Sequence, residues 1–256
     1  RSYAIWAGDT NLALLFLLCS ILFLFKLEKE KKIEKKNLYI VLHVVSLAIS
    51  AYVRPIYSLI SIYFFYKIIK RFGLSKETSL YITTNILLSL PAFYYVYGLD
   101  IAFFENRILL SISLISTNIT IISTIFLFYS IPFLFTYKNI YLQKKKIFNK
   151  KNLYFILFSL VVSFILLNNF NYDLNKSGGG IFFKFSNLFF KNNIFFYVVS
   201  FFSISLILKI FFNKKLNDIL LIFILITLDP DGYVFHKTYD PLLLCIFLLL
   251  FENSLF

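Results

Sequence analysis

The chain has 256 residues, of which 59% are hydrophobic and 15% are charged, and its formal net charge is +13. Soluble domains are typically about 45–50% apolar and about 25% charged, so this composition excludes an ordinary soluble domain. The apolar runs are continuous, whereas the strands of an outer-membrane barrel alternate polar and apolar residues. We therefore predict an all-α fold, a polytopic transmembrane helical bundle that forms a single integral membrane domain over residues 1–256.

The positive charge does not by itself indicate a nucleic-acid partner. Lys, Asn, Ile and Phe are abundant and Gly is scarce, a bias typical of AT-rich genomes, in which Lys fills ordinary loops. No recognition fold with a basic face is present, so we predict no nucleic acid among the partners. Cys19 and Cys245 lie inside apolar runs and are interpreted as core residues. The chain begins at Arg1 without Met, which favours an N-terminally incomplete fragment.

The apolar runs predict about nine membrane crossings, because a spanning helix needs roughly 20 apolar residues. They cover residues 11–25, 38–53, 55–69, 78–97, 108–137, 153–167 and 194–212, and two shorter runs flank a polar segment at residues 229–240. The Ser/Thr/Asn-rich first half of the run 108–137 is interpreted as interfacial or cavity-lining. Residues 213–218, with Lys214 and Lys215, are interpreted as a short loop.

Arg54-Pro55 interrupts an apolar stretch, residues 38–70, that is too long for one span. Proline disfavours helix in the residue before it and is tolerated in the first turn of the next helix. We therefore predict a hairpin between two spans, with Arg54 at its tip. A single kinked and tilted helix is the alternative.

Residues 181–193, IFFKFSNLFFKNN, place Lys184 and Lys191 seven positions apart among phenylalanines. This spacing is typical of an amphipathic helix that lies on the bilayer surface. The preceding Gly178-Gly179-Gly180 is not followed by the Lys-Ser/Thr of a phosphate-binding loop. We interpret these glycines as a flexible hinge.

The distribution of Lys and Arg predicts the orientation of the chain, because cytoplasmic loops carry the excess of these residues. The alternate loops 26–36, 67–77, 138–151 and 213–218 hold roughly 18 of them, and the opposite side holds roughly 7. We predict that the N-terminus and the segment 229–240 lie outside and that the C-terminus is cytoplasmic.

With this orientation, ionisable residues from several span ends gather on the outer face. They are Asp9, Arg54, Asp100, Glu105, Arg107, Asp173, Asp229, Asp231, His236, Lys237 and Asp240. Ionisable groups at buried membrane positions are usually paired or functional. A histidine near carboxylates can relay a proton, and Lys and Arg can bind phosphate. These residue types predict a polar cavity without a metal-ligand set, although a carboxylate pair with a phosphate can hold a divalent cation.

Ordinary structural roles are the alternative for each of these residues. Asp9 and Asp240 can cap helices, and Arg54 can extend to lipid headgroups. The sequence DPDG makes Asp229 and Asp231 strong turn formers.

Three further ionisable residues are interpreted as structural. Asp100 and Glu105 can be solvated loop residues. His43 lies alone in the middle of a span and is predicted to be a hydrogen-bonded core residue and not a ligand.

Local stretches over roughly half of the chain resemble polytopic glycosyltransferases of the GT-C type. These are residues 8–25 (GDTNLALLFLLCSILFLF), residues 51–98 with their Arg-Pro hairpin, short basic loop and Leu-Pro ending, and residues 236–244 (HKTYDPLLL). The resemblance implies an enzyme of the bacterial inner membrane and cell envelope. Such an enzyme moves a sugar from a polyprenyl-phosphate carrier to an envelope glycan or lipid acceptor at the outer face.

The resemblance also implies residue roles and partners. Asp9 or Asp100 would be the catalytic base, and Arg54, His236, Lys237 and Asp240 would bind the lipid phosphate. The expected partners are membrane lipids and the polyprenyl-phosphate-sugar donor, without a resident cofactor or metal. A transporter or flippase for a lipid-linked or small polar substrate, and a non-catalytic membrane subunit, are the alternatives.

Overall fold

The computed structural model describes residues 2–94, 112–136, 150–173, 178–212 and 216–227, and individual residues between 234 and 250. Within these residues every regular element is a helix and no strand is present, so the predicted all-α class is confirmed. The chain divides into two compact units, Arg1–Ile108 and Leu109–Phe256. Each unit is described here by itself.

Unit 1 contains four α-helices and one 3-10 turn among its described residues, which end at residue 94. Helix α1 covers Ser2–Lys29 and α2 covers Ile33–Val53. After the 3-10 turn Pro55–Leu59, α3 covers Ile60–Phe72 and α4 covers Lys76–Phe93.

Unit 2 contains five α-helices among its described residues. Helix α5 covers Ile112–Thr136 and α6 covers Lys150–Asn168. The short α7, Gly180–Phe185, continues as the π-helical turn Ser186–Phe190. Helix α8 covers Ile194–Phe212 and α9 covers Leu216–Thr227.

Four helical segments of the described part are long and apolar enough to cross a bilayer. They are Thr10–Lys29, Ile33–Val53, Ile112–Pro132 and Ile194–Phe212. Shorter apolar helices occur at Leu153–Asn168, Gly180–Phe190 and Leu216–Thr227. The membrane class is therefore supported by length and composition, and the count of about nine crossings stays a prediction.

The predicted hairpin at Arg54-Pro55 is present. Arg54 adopts an extended conformation (φ −135°, ψ 97°) that ends α2, and Pro55 opens the next helical turn. At the far end of α3, the Arg71 guanidinium donates a hydrogen bond to the carbonyl oxygen of Glu28, near the end of α1. The start of α2 also lies beside the end of α1. The end of α3 is therefore close to the start of α2, so α2 and α3 run in opposite directions. The alternative of one kinked helix is wrong.

Ser75 caps the N-terminus of α4, where its hydroxyl accepts a hydrogen bond from the Thr78 N–H at 3.4 Å. Replacing Ser75 with Ala is expected to lower the free energy of unfolding by about 1 kcal/mol, because this N–H then loses its acceptor. The matched control Ser79→Ala changes an exposed position of the same helix and is expected to cost less than about 0.5 kcal/mol. Denaturation in detergent, followed by helix content, measures both, and equal losses would contradict the cap.

Candidate functional site

Arg54 lies between the end of α2 and the following 3-10 turn, beside α1. Its half-buried guanidinium donates a hydrogen bond to the Thr10 hydroxyl of α1, and its backbone N–H donates to the Ser50 carbonyl oxygen at 2.9 Å. Two residues before Arg54, the Tyr52 hydroxyl donates a hydrogen bond to the carbonyl oxygen of Leu88 in α4, at 2.5 Å. The cation is therefore held at a defined position and does not extend freely into solvent.

The other predicted site residues are described in part or not at all. Asp9 lies inside α1, which begins at Ser2, so the interpretation of Asp9 as the cap of this helix is wrong. The side chain of Asp9 is outside the described residues. Asp100, His236, Lys237 and Asp240 also lie outside them, so the roles of all five residues stay predictions.

Gly178–Gly180 form a closely packed turn at one end of unit 2, and the interpretation as a flexible hinge is wrong. All three residues have positive φ, of 110°, 84° and 77°, which favours glycine. The Gly179 N–H donates a hydrogen bond to the carbonyl oxygen of Val234 at 3.0 Å. A Cβ atom on Gly178 would lie 2.5 Å from that oxygen and 2.7 Å from the hydroxyl oxygen of Tyr172.

This glycine turn joins two segments that the charge distribution predicts on the same side of the membrane. The first is the connection after α6, in which the Asn171 N–H donates to the Thr117 hydroxyl of α5 at 3.0 Å. The second is the polar segment 229–240, because Val234 lies within it and is fully buried. The start of α5, the end of α6 and part of the polar segment therefore meet at one end of unit 2.

A cluster of aromatic rings surrounds the glycine turn and fixes the entry into α8. Phe183 packs against the rings of Tyr172, Phe170 and Phe196, with centroid distances of 5.5, 5.6 and 5.2 Å. The Ser186 hydroxyl donates to the Asn192 carbonyl oxygen at 2.7 Å and accepts from the Phe196 N–H at 3.2 Å. The π-helical turn thus has its polar groups bonded locally.

The predicted amphipathic helix at 181–193 corresponds to α7 and its π-helical turn. Gly180, Phe183 and Ser186 are buried, three residues apart, so they form one face toward unit 2. Leu188 and Phe189 on the outer side are 76% and 71% exposed. A helix of this length is too short to cross a bilayer, and its exposed apolar face suits the bilayer surface.

Asn217 and Asp218 are buried residues whose role the sequence interpretation missed by assigning them to a loop. They lie in the first turn of α9 and are 3% and 0% exposed. Asp218 shares the buried face of α9 with Ile222 and Leu225. This spacing of four and seven residues is the helical pattern that could have identified them.

The hydroxyl-rich part of α5 does not supply a free polar surface. Thr120, Ser123 and Thr124 are buried, and each donates to a carbonyl oxygen of the preceding turn, at 2.7, 2.5 and 2.7 Å. Of these three residues only Thr120 lies in the Ser/Thr/Asn-rich first half of the run 108–137, so the interpretation of that half as interfacial or cavity-lining stays a prediction. Their hydroxyls are satisfied inside the helix.

His43 occupies the core of unit 1, as predicted. The ring is fully buried, and its Nδ1 lies 2.8 Å from the Ser20 hydroxyl and 2.9 Å from the Ser20 carbonyl oxygen. Since a carbonyl oxygen only accepts, Nδ1 carries the proton and Nε2 carries the lone pair. Nε2 has no hydrogen-bond partner within the described part of the chain. The rings of Phe64 and Tyr81 pack on the imidazole at 4.8 and 5.9 Å.

The described residues contain no group of three or more His, Cys, Asp or Glu side chains that could hold a metal ion. Comparison with known protein families, curated proteins and solved structures finds no match for the chain.

The tautomer of His43 leads to a prediction for two neighbouring side chains. His43→Ala is expected to lower the free energy of unfolding by about 3 kcal/mol, because it empties a buried ring site. Ser20→Ala is expected to cost about 1 kcal/mol, since the Ser20 carbonyl oxygen still accepts from Nδ1. Unfolding in detergent measures both, and nitrogen NMR of the ring checks that Nε2 is unprotonated. Equal losses would show that the hydroxyl, not the carbonyl, holds the ring.

The packing of the glycine turn predicts a large effect of a single methyl group. Gly73, at the end of α3, has φ 63° and ψ −151°, and a Cβ there meets no atom within 4 Å. Gly73→Ala therefore adds backbone strain alone, of order 1–3 kcal/mol. Gly178→Ala adds strain and overlap, so a further loss of about 1–3 kcal/mol is expected. Unfolding measurements on both variants decide, and similar losses would contradict the close packing.

Proposed function

We propose that this protein is an integral membrane glycosyltransferase of the GT-C type. It moves a sugar from a polyprenyl-phosphate carrier to an envelope glycan or lipid at the outer face of a bacterial inner membrane. A carboxylate, Asp9 or Asp100, removes the proton of the acceptor hydroxyl. Arg54 in unit 1, and His236, Lys237 and Asp240 in unit 2, are the residues proposed to bind the lipid phosphate.

The observation that carries this proposal is the position of Arg54. Arg54 directly follows the candidate span Ile33–Val53, and its half-buried guanidinium is held by Thr10, the first residue of the candidate span Thr10–Lys29. This position at the ends of two apolar segments suits contact with the phosphate group of a membrane lipid. Its hydrogen bond to Thr10 orients the planar guanidinium, a group whose geometry matches that of a phosphate. A phosphate approaching from the lipid side therefore meets a pre-oriented cation, and stabilising the leaving phosphate is an electrostatic task of this kind.

The neighbourhood of the polar segment 229–240 adds support from unit 2. Its residue Val234 is anchored on the glycine turn, next to the helix α7 with its exposed Leu188 and Phe189. An apolar helix at the bilayer surface beside a polar segment suits a substrate with a long hydrocarbon tail and a charged head. His236 and Lys237 follow Val234 by two and three positions in sequence.

Transport of a lipid-linked or small polar substrate is the second candidate, and Asn217 and Asp218 favour it. A buried carboxylate in an apolar helix is costly and marks substrate or proton pathways in many transporters. In this alternative Asp218 would bind a proton or a cationic group during each cycle.

The decisive experiment is a transfer assay with membranes that contain the full parent protein and radiolabelled polyprenyl-phosphate sugars. Arg54→Ala is expected to lower the rate of transfer by about a hundredfold or more, because the developing phosphate charge loses its cation. Arg54→Lys is expected to recover part of it. The matched control Arg71→Ala removes the same side chain at the opposite end of unit 1 and is expected to retain near-normal transfer.

Two outcomes would overturn the proposal. Transfer that Arg54→Ala and His236→Ala leave unchanged would exclude this phosphate site. Absence of transfer with every donor, together with lipid movement across vesicles that Asp218→Asn abolishes, would establish transport instead.

A further inference from the structure

The end of unit 1 opposite Arg54 carries a concentration of exposed positive charge. It is formed by residues 26–36, which include the end of α1 and the start of α2, and by residues 67–77, which include the end of α3 and the start of α4. We call it the basic end. The contact of Arg71 with Glu28 shows that the two connections lie side by side. Its exposed basic residues are Lys26, Lys29, Lys31, Lys32, Lys35, Lys70, Arg71 and Lys76.

The carboxylates of the basic end are mostly engaged within the protein. Glu28 pairs with Lys67 at 3.7 Å. One oxygen of Glu30 accepts the backbone N–H groups of Lys31 and Lys32, at 3.0 and 3.1 Å. These N–H groups, that of Lys32 first, lower the pKa of the Glu30 carboxyl, so it stays ionised but turned toward the backbone.

The carboxylate of Glu77 likewise accepts hydrogen bonds from groups of the protein. Its own backbone N–H and the Ser75 hydroxyl lower the pKa of its carboxyl. Glu34 is the one exposed carboxylate within residues 26–36 and 67–77. Within the described residues, none of the eight exposed basic side chains lies within 4.0 Å of a carboxylate. Positive charge therefore faces outward with little local compensation.

Two apolar side chains project among these charges. Leu74 is 95% exposed in the turn after Gly73, and Ile33 is 68% exposed at the start of α2. Aromatic rings lie below the lysine amines. The Nζ of Lys36 is 5.8 Å from the ring centre of Phe72, and the Nζ of Lys70 is 5.9 Å from the ring centre of Tyr66. Exposed leucine between lysines suits the edge of a lipid leaflet, where headgroups and hydrocarbon meet.

We propose that the basic end is a binding surface for anionic phospholipid headgroups, with Leu74 and Ile33 inserted in the apolar edge of the same leaflet. The loops directly continue the spanning segments Thr10–Lys29 and Ile33–Val53, so their charges lie at headgroup depth. Polybasic segments next to membrane spans attract anionic lipids in this way. A nucleic acid would use the charges but would leave the exposed leucine and isoleucine without a role.

The test uses the full chain, reconstituted in mixed vesicles of phosphatidylcholine and phosphatidylglycerol and then released for native mass spectrometry of retained lipids. We expect phosphatidylglycerol to be enriched over phosphatidylcholine among the retained lipids. In the triple variant K31Q/K32Q/K35Q this enrichment is expected to be about tenfold lower. The matched triple K31R/K32R/K35R keeps the charges and is expected to retain it. E34Q removes the exposed carboxylate and is expected to raise it.

Two further measurements distinguish insertion of the apolar side chains from electrostatic attraction of the lipid headgroups. Leu74→Ser is expected to reduce the retention of both lipids, and added salt is expected to reduce the enrichment of phosphatidylglycerol alone. Helix content by circular dichroism confirms that each exposed substitution leaves the fold intact. Equal retention of the two lipids by the wild type, or unchanged enrichment in the glutamine triple, would overturn the proposal. Displacement of the bound lipid by RNA at equal phosphate concentration would also overturn it.

Discussion

The absence of water in the hydrocarbon core of a bilayer is the constraint on which this structure depends. Every polar group placed there must find its partner inside the protein. Many buried Ser and Thr hydroxyls meet this requirement within single helices by donating to the preceding turn, as Ser200 does to Phe196 at 2.7 Å. Nε2 of His43 is an exception among the described residues. Between helices, one imidazole links α1 and α2 through Ser20. A hydrogen bond of this kind costs little conformational entropy, because the backbones of both residues are already fixed in helices.

The two ends of unit 1 carry different arrangements of positive charge. At one end, Arg54 is a single cation with a fixed hydrogen-bond partner. At the other, many lysines share the surface with aromatic rings and a few inward-turned carboxylates. A single oriented guanidinium can recognise one phosphate, whereas a diffuse set of amines attracts many headgroups weakly. The proposed transfer site and the proposed lipid surface therefore call for different kinds of binding, and a substitution at one end leaves the other intact.

Sequence patterns were sufficient where local rules decide the conformation. The hairpin at Arg54-Pro55 follows from proline geometry, and the burial of His43 follows from its position in a long apolar run. The patterns failed where contacts between distant residues decide. Gly178–Gly180 lack any local motif, and their packing depends on Val234. Asp218 was assigned to a loop because nearby lysines suggested one, although the apolar period of α9 includes it. The pairing of Arg54 with Thr10 also joins residues far apart in sequence.

The bond between Gly179 and Val234 has a consequence for biosynthesis. A ribosome makes the glycine turn well before it makes Val234, because more than fifty residues and the spanning helix α8 separate them. During that interval the Gly179 N–H is without its native acceptor, and the turn is free to sample other conformations. Closure of this end of unit 2 is then a late event, which follows insertion of α8 and α9. A chain truncated before residue 234 would therefore contain the helices of unit 2 from α5 to α9 but would lack this closure.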